Sequence, residues 1–243
     1  MIDSKKDIIF LDFETVTNLE KPVIELPEAP TEKDVKVGNL KDEAKIKAKI
    51  EEGLPKLLQE HKDKCKAIED KVLEQWKKGA VHPLKCKVIS CAVTVNDKYP
   101  VVLWGTEEEI LKQIDEIISG CNMYFTIVAH NAMGFEAPIL VLRALKYNLK
   151  CKQNFSRRED LNSVFYDTMK RAAVTDYKAY HSMDDLCEFF GIKTPKEEFN
   201  GSMVHDAYFN EGEEGKQKII QYGIAEIFAL RDLYKILSGD ENL

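Results

Sequence analysis

Residues 8–15 are Ile-Ile-Phe-Leu-Asp-Phe-Glu-Thr. The four consecutive large apolar residues at the start predict a strand that is covered on both faces. Because side chains alternate between the faces of a strand, Asp12 and Glu14 are expected to project from the same side. Two ionised carboxylates at that separation repel each other, and a hard divalent cation relieves the repulsion. The stretch therefore predicts a strand ending in a metal site, although a strand running out into a polar loop has the same pattern.

The size and composition of the chain suit a single globular domain with an insertion. The 243 residues are 44% hydrophobic, which is enough for a full core. No apolar run approaches the ~18 residues of a membrane span, and the N-terminal residues lack the apolar segment of a secretion signal. The cysteines form no C-x-x-C pair and mostly lie in apolar stretches, so we expect reduced core residues of a cytoplasmic protein without a membrane partner.

The net charge of the chain is −7. This value argues against a protein that coats nucleic acid nonspecifically, because such binding depends on many Lys and Arg contacts to phosphate. It does not exclude an enzyme that holds a few nucleotides, since a carboxylate site attracts phosphate once it has bound metal ions.

The region after the first strand differs in character from the rest. Residues 20–31 contain three prolines and predict an extended loop, and the segment from 41 to 78 is rich in Lys and Glu with apolar residues at helical spacing. Gly53 and Pro55 interrupt this pattern, so we expect two or three helical segments. We therefore predict that residues 20–79 form a helical insertion within a single domain of residues 1–243.

The remaining sequence alternates predicted strands with predicted helices. Capping boxes at Thr106 with Glu109 and at Ser182 with Asp185 predict two helix starts, and a long final helix is expected at about 213–238. Further predicted strands cover 88–95, 100–104, 124–129 and a short stretch before Asp167. A hairpin followed by alternating strands and helices predicts an α/β fold with a mixed sheet covered on both faces.

A second acidic cluster follows the predicted strand at 124–129. Asn131 ends that strand, Gly134 permits a tight turn, and Glu136 falls in the first turn of the next helix. A carboxylate at this position also interacts favourably with the helix dipole, so simple helix-start chemistry is the alternative interpretation.

A third acidic cluster lies in the final helix. Tyr222 and Glu226 are four residues apart, so they share one face of the helix. That face also carries Ile219 and Leu230, and a carboxylate on so apolar a surface needs a partner. The alternative is that Glu226 lies at the exposed rim of the helix while Tyr222 packs in the core.

The three motifs together resemble those of the DEDD superfamily of 3′–5′ exonucleases. The likeness is greatest to phage and bacterial exonucleases similar to the proofreading domain of family B DNA polymerases, and to their tyrosine subclass. Tyr166-Asp167-Thr168 also resembles a strand-ending Asp-Thr of this family. The residues that match the three motifs are Asp12, Glu14, Asn131, Phe135, Glu136, Tyr222 and Glu226.

The resemblance implies a ribonuclease H-like fold and a two-metal phosphodiesterase. Two Mg²⁺ or Mn²⁺ ions ~3.5–4 Å apart would act on the 3′ end of single-stranded DNA, or of RNA. The implied partners are a single-stranded 3′ end and replication proteins, in a bacterial cell or a phage-infected host. By the same resemblance Glu14 also contacts the 3′ end and Tyr222 orients the nucleophilic water. The implied metal ligands are Asp12, Glu14, Glu136 and Glu226.

The chain departs from the family at two of these ligands. Glu136 and Glu226 stand where the family has Asp, and each adds about 1.5 Å of reach, the length of one C–C bond. A wider pocket with two ions, a site with one ion, or a site that binds without chemistry would each accommodate this change. The alternative function is therefore a catalytically weakened nucleic-acid-binding or scaffold protein.

The candidates for holding the nucleic acid are less specific. The two phenylalanines next to the carboxylates are candidates for stacking on bases, with core packing as the alternative for each. A basic segment offers further candidates for holding phosphates, with a solvated loop as the alternative. The candidate substrate-binding residues are Phe13, Thr15, Asn131 and Phe135, and the basic segment contributes Lys152, Arg157 and Arg158.

Overall fold

The structure is a computed structural model that describes residues 6–122, 124–155, 158–174, 179–194 and 199–239, without the side chains of 158–160. The chain divides into two compact units, one made of Met1–Asn18 with Gly79–Leu243 and the other of Leu19–Lys78. None of the helices in the described part of the chain is both long enough and apolar enough to cross a membrane.

The larger unit is built on a five-stranded mixed sheet with the order β3-β2-β1-β4-β5. The first strand is antiparallel to the second and parallel to the fourth, which in turn is parallel to the fifth. The second and third strands form the predicted hairpin. The strands are β1 (Asp7–Thr17), β2 (Cys86–Val95), β3 (Val101–Trp104), β4 (Phe125–Ala129) and β5 (Phe165–Asp167).

Helices cover both faces of this sheet. Both predicted capping boxes form, at Thr106 and at Ser182, and the final helix begins and ends close to its predicted bounds. The helices are α1 (Glu43–Lys77), α2 (Glu107–Gly120), α3 (Glu136–Lys146), α4 (Arg158–Val164), α5 (Thr168–Ala172), α6 (Met183–Phe190), α7 (Gly201–Asn210) and α8 (Gly212–Ser238).

The alternation of side chains along β1 sets up two separate cores. Ile9 and Leu11 are buried in a cluster with residues of α2 and α3. Ile8 and Phe10 point the other way and are buried in a cluster with residues of α6 and α8. Asp12 and Glu14 follow Ile8 and Phe10 at intervals of two residues and therefore point to the same face of the sheet. Both carboxylates thus lie on the side of the sheet that α8 covers.

The register of β1 places its last residues beyond the end of β4. The parallel ladder to β4 joins residues 7–10 of β1, whereas the antiparallel ladder to β2 continues to Thr17. A register shift between Glu14 and Thr15 marks a bulge, a feature that re-aims side chains and is frequent beside active sites. The carboxyl half of β1 therefore carries Asp12 and Glu14 past the carboxyl end of the neighbouring parallel strand.

The smaller unit contains one long helix rather than the two or three segments that we expected. α1 runs without a break over 35 residues and contains Pro55. Proline removes only one intrahelical hydrogen bond, and the helix continues on both sides of it. Gly53 packs closely against Val35. A side-chain carbon at position 53 would lie only 2.8 Å from Cγ1 of Val35, so the close packing explains why this residue is glycine.

All six cysteines are free thiols, and four of them are buried, as predicted for core residues, whereas Cys65 and Cys121 are only half-buried. Cys91 and Cys187 are completely buried, as expected for small apolar residues of a core.

Candidate metal centre

Three of the predicted carboxylates converge on one point. Asp12, Glu14 and Glu226 each offer a carboxylate oxygen, and these oxygens all lie within 4.8 Å of one another. Glu14 and Glu226 are buried and Asp12 is half-buried. The alternative that placed Glu226 at an exposed helix rim is therefore wrong, since only 7% of the surface of Glu226 is accessible to solvent.

A close approach of α8 to the sheet brings these groups together. Gly223 faces Ala92 of β2, and a side-chain carbon at Gly223 would lie 3.0 Å from the Ala92 Cβ. Ala92 is the residue that pairs with Asp12 across the ladder. The absence of a side chain at Gly223 therefore lets the helix reach the sheet at the level of Asp12, next to Tyr222 and one turn from Glu226.

The electrostatics of Glu226 reflect this crowding. Burial raises the pKa of Glu226 well above its usual value, and the charges of Asp12 and Glu14 raise the pKa further. A hydrogen bond from the Tyr222 hydroxyl to Glu226 Oε1, at 2.5 Å, acts in the opposite direction by stabilising the ionised form. Glu226 is therefore a buried carboxylate whose ionisation needs a nearby positive charge.

Tyr222 is fixed as a hydrogen-bond donor. It is buried, and its ring packs edge-on against Phe199 at 5.5 Å between centroids. Burial and the neighbouring charges of Glu226 and Glu14 raise the pKa of Tyr222, so the hydroxyl keeps its proton at neutral pH.

Glu136 lies beside the three-carboxylate group but outside it. It is the first residue of α3 and is buried, and its Oε2 has no hydrogen-bond partner among the described residues. Burial raises its pKa well above the usual value, and the charge of Asp12 raises it further, followed by that of Asp167. A carboxylate oxygen buried without a partner is costly, and a bound cation would remove that cost.

The turn between β4 and α3 positions Asn131 and Glu136. Asn131 has a φ of 60°, in the left-handed region that Asn tolerates, and its carbonyl oxygen accepts hydrogen bonds from the N–H groups of Gly134 and Phe135. Gly134 packs directly against the Asn131 amide. The half-buried side chain of Asn131 is therefore held in place by the turn that leads to Glu136.

We expect Gly134→Ala to displace the Asn131 side chain, because the new carbon would lie 2.3 Å from Asn131 Oδ1. The nuclease activity that the family resemblance implies should fall by about 10-fold, a cost in line with small displacements of positioning groups. The matched control is Gly120→Ala at the end of α2, where nothing lies within 4 Å of the new carbon. Equal activity of both variants would show that the position of Asn131 is unimportant.

The other predicted substrate-binding residues have structural contacts. Phe13 is buried in the core on the α2 and α3 side, and Phe135 is partly buried against the same core. Thr15 is buried, and its hydroxyl donates to the carbonyl oxygen of Ala80 at 2.7 Å. Of the basic segment, Lys152 donates to Asn148, Arg157 lies outside the described residues, and the side chain of Arg158 is not described.

Sequence reasoning assigned no role to Asp167, which the structure places next to the site. This buried residue ends β5, and its carboxylate accepts hydrogen bonds from the N–H groups of Met133, Met169 and Lys170. Its charge also raises the pKa of Glu136. The signal in the sequence was a carboxylate directly after a short apolar strand, which is the same pattern that singled out Asp12.

The side chains present suit divalent cations. Hard ions such as Mg²⁺ and Mn²⁺ take carboxylate oxygens, and this site gathers several carboxylates. Burial and the neighbouring negative charges raise the pKa values of Glu136 and Glu226. Asp12, Glu14 and Glu226 would hold an ion together, and Glu136 adds a buried carboxylate beside Asp12. The donor set lacks the Cys and His ligands that structural zinc prefers.

We expect the stabilisation by Mn²⁺ to increase with pH. The raised pKa values of Glu136 and Glu226 mean that the metal-free fold binds protons more tightly than the unfolded chain, where glutamate titrates near pH ~4.3. These groups therefore make the metal-free fold less stable as pH rises above that value, and a cation that pairs with the ionised forms reverses the loss.

Thermal unfolding with and without Mn²⁺ measures this effect. The increase in melting temperature should be larger at pH 7.5 than at pH 6, and Glu116→Gln, which removes an exposed carboxylate of α2, should behave as the wild type. A Mn²⁺ effect that is independent of pH would contradict the assigned pKa directions.

A family profile and one archaeal relative match this chain. The profile of a family described as a predicted 3′–5′ exonuclease related to the exonuclease domain of PolB matches residues 79–229. An uncharacterized protein of Methanocaldococcus jannaschii is 24% identical over 163 residues, which cover 65% of this chain and 89% of that protein.

The fold is similar to part of a solved polymerase structure. The family B DNA polymerase from the hyperthermophilic archaeon Pyrobaculum calidifontis superposes with a TM-score of 0.55 at 13% identity, over 96% of this chain and 24% of the polymerase chain. The predicted fold class, a ribonuclease H-like mixed sheet flanked by helices, is thereby confirmed.

Proposed function

This chain belongs to the family of predicted 3′–5′ exonucleases related to the exonuclease domain of PolB, and from this membership we propose a specific activity. The protein hydrolyses phosphodiester bonds at the 3′ end of single-stranded DNA, with two divalent cations, Mg²⁺ or Mn²⁺, as cofactors. We propose that it belongs to the tyrosine subclass of the DEDD superfamily, because its three motifs resemble those of that group. RNA is the alternative substrate of the same chemistry.

One observation carries the proposal: acidic side chains from three separate segments of the chain lie near the carboxyl half of the central strand β1. Asp12, Glu14 and Glu226 form a cluster within 4.8 Å, and the charge of Asp12 also acts on buried Glu136. Burying several mutually repelling carboxylates is unfavourable unless cations bind there. The arrangement supports metal-dependent phosphoryl transfer, whose catalysis consists mostly of positioning and charge stabilisation.

In this proposal the carboxylates bind metal ions and Tyr222 orients a water molecule. Bound divalent cations would activate the nucleophile and neutralise the charge that develops on the phosphoryl oxygens. Asp12, Glu14, Glu136 and Glu226 hold the cations. Tyr222 keeps its proton and donates a hydrogen bond to Glu226, and this hydrogen bond fixes the orientation of both side chains. The Tyr222 hydroxyl oxygen can in addition accept a hydrogen bond from a water molecule and so orient it.

The net charge of −7 makes substrate binding depend on the cations. Without them the carboxylates repel the phosphate backbone, and with them the same site attracts it. We therefore expect measurable binding of a single-stranded oligonucleotide to require the same ions as cleavage.

A 5′-labelled single-stranded DNA oligonucleotide tests the activity. With Mn²⁺ or Mg²⁺ the label should appear in a ladder of progressively shorter products, and a chelator should stop the reaction. Circular single-stranded DNA should stay intact, because it has no 3′ end. An RNA oligonucleotide of the same sequence measures the sugar preference.

Two results would contradict the proposal. Linearisation of the circle would indicate an endonuclease. Intact oligonucleotides of both kinds under both metals would favour the alternative, a related protein that binds nucleic acid or a partner without cleaving, as the two glutamates in aspartate positions suggest.

A further inference from the structure

The last residue of β5 and the residue after it contact the turn that carries the second carboxylate motif. Asp167 and Thr168 are both buried, and Thr168 is completely so. The turn lies between β4 and α3; it contains Asn131 and leads into Glu136, the first residue of α3. Neither Asp167 nor Thr168 belongs to the three-carboxylate group of the candidate metal centre.

The carboxylate of Asp167 has two structural tasks, one for each oxygen. Oδ1 accepts hydrogen bonds from the N–H groups of Met169 and Lys170, at 3.1 and 3.2 Å, and so caps the start of α5. Oδ2 accepts a hydrogen bond from the N–H of Met133, at 3.0 Å, in the middle of the β4–α3 turn. The cap needs only the first oxygen, so the second is available to hold the turn.

Thr168 holds the beginning of the same connection. Its hydroxyl donates to the carbonyl oxygen of Ala129, the last residue of β4, at 3.3 Å. The hydroxyl oxygen of Thr168 also lies 3.0 Å from Nδ1 of His130. The other ring nitrogen of His130, Nε2, lies 3.2 Å from the carbonyl oxygen of His181. The connection is thus held at Ala129, His130 and Met133, which precede Glu136.

The second carboxylate motif depends on this support. Glu136 is buried, and its Oε2 has no hydrogen-bond partner among the described residues. Its carboxylate does form a hydrogen bond with the backbone N–H of Glu136 itself, which ties it to its own backbone. The position of Glu136 relative to Asp12 is then set by the backbone on which it sits. A metal centre needs its ligands placed to a fraction of an ångström, because octahedral Mg²⁺ coordination tolerates little error.

We propose that Asp167 and Thr168 are positioning residues, which hold the β4–α3 turn so that Asn131 and Glu136 are placed for divalent-cation binding. This inference rests on the proposed function. Asp167 acts through Met133 and Thr168 acts through Ala129 and His130, and neither touches the metal or the substrate.

Matched substitutions separate positioning from stability. Asp167→Ser keeps a helix cap for α5, since serine is a good capping residue, but its hydroxyl is too short to reach Met133 as well. Thr168→Val removes the hydroxyl at nearly constant shape, and Thr168→Ser restores it. Melting temperature, manganese affinity by calorimetry, cleavage rate, and hydrogen exchange of the Met133 amide are measured for each variant and the wild type.

We expect Asp167→Ser and Thr168→Val to lower manganese affinity and cleavage rate by about 10- to 100-fold, as substitutions behind metal ligands do. Their melting temperatures should stay close to that of the wild type, and Thr168→Ser should recover most of the loss. In Asp167→Ser the Met133 amide should exchange faster with solvent.

The outcomes distinguish this inference from the proposed function. Wild-type manganese affinity and cleavage in Asp167→Ser would overturn the inference and leave the function intact. A wild type that binds manganese without cleaving would contradict the function alone, and the manganese titrations would still decide the inference. A wild type that binds no manganese would overturn both.

Discussion

Replacement of Asp12 by asparagine should abolish metal-dependent cleavage, with a loss of about 1,000-fold or more. Asp12 belongs to the three-carboxylate group, and its charge acts on both Glu136 and Glu226. Asparagine keeps the shape of the side chain but removes the charge that a divalent cation needs. The rate is measured on the 5′-labelled single-stranded oligonucleotide with Mn²⁺.

The same substitution should make the metal-free protein more stable. Removal of one charge from a cluster of mutually repelling acids lowers the cost of ionising Glu136 and Glu226, so the Asp12→Asn variant should melt at a higher temperature without metal at pH 7.5. Added Mn²⁺ should then raise its melting temperature little.

Asp97→Asn is the matched control for this substitution. Asp97 is exposed in the turn between β2 and β3, beside the start of β1 rather than its carboxyl half. This variant should cleave and melt as the wild type does. Cleavage by Asp12→Asn at even one tenth of the wild-type rate would contradict the assignment of Asp12 as a metal ligand.

Glu226→Asp should lower the cleavage rate by about 100-fold, although the DEDD motif that this segment resembles has aspartate at this position. In the structure the longer side chain reaches both the oxygens of Asp12 and Glu14 and the hydroxyl of Tyr222, at 2.5 Å. Shortening it withdraws the carboxylate by about 1.5 Å, the length of one C–C bond. An aspartate on the same backbone would therefore lose the contact with Tyr222 or move away from the other two carboxylates.

The control for this change is Glu213→Asp, at an exposed position in the first turn of the same helix. It should cleave at the wild-type rate. A Glu226→Asp variant that cleaves faster than the wild type would show instead that the glutamate weakens an ancestral site, and would support the alternative of a weakened exonuclease.

The sequence predicted those parts of the fold that depend on local patterns. The apolar run before Asp12 specified a covered strand, and alternation placed Asp12 and Glu14 on one face, where the structure has them beside α8. The capping boxes at Thr106 and Ser182 specified helix starts because a side chain and a backbone N–H only three residues apart determine them.

Other features depend on contacts between distant segments, and the sequence alone did not predict them. The helix α7 was missed, since its apolar residues Val204 and Ala207 are buried against partners elsewhere in the chain. The close approach at Gly223 depends on Ala92 in another element. Local sequence carries no information about such pairs, so the accommodation of the longer Glu226 became visible only in the structure.

The most direct test of the metal centre is the anomalous scattering of manganese in crystals soaked with Mn²⁺. The account predicts manganese peaks bound by carboxylate oxygens of Asp12, Glu14 and Glu226, with Glu136 turned toward an ion. Crystals that diffract well, contain millimolar Mn²⁺ and show no anomalous peak among these four side chains would contradict it.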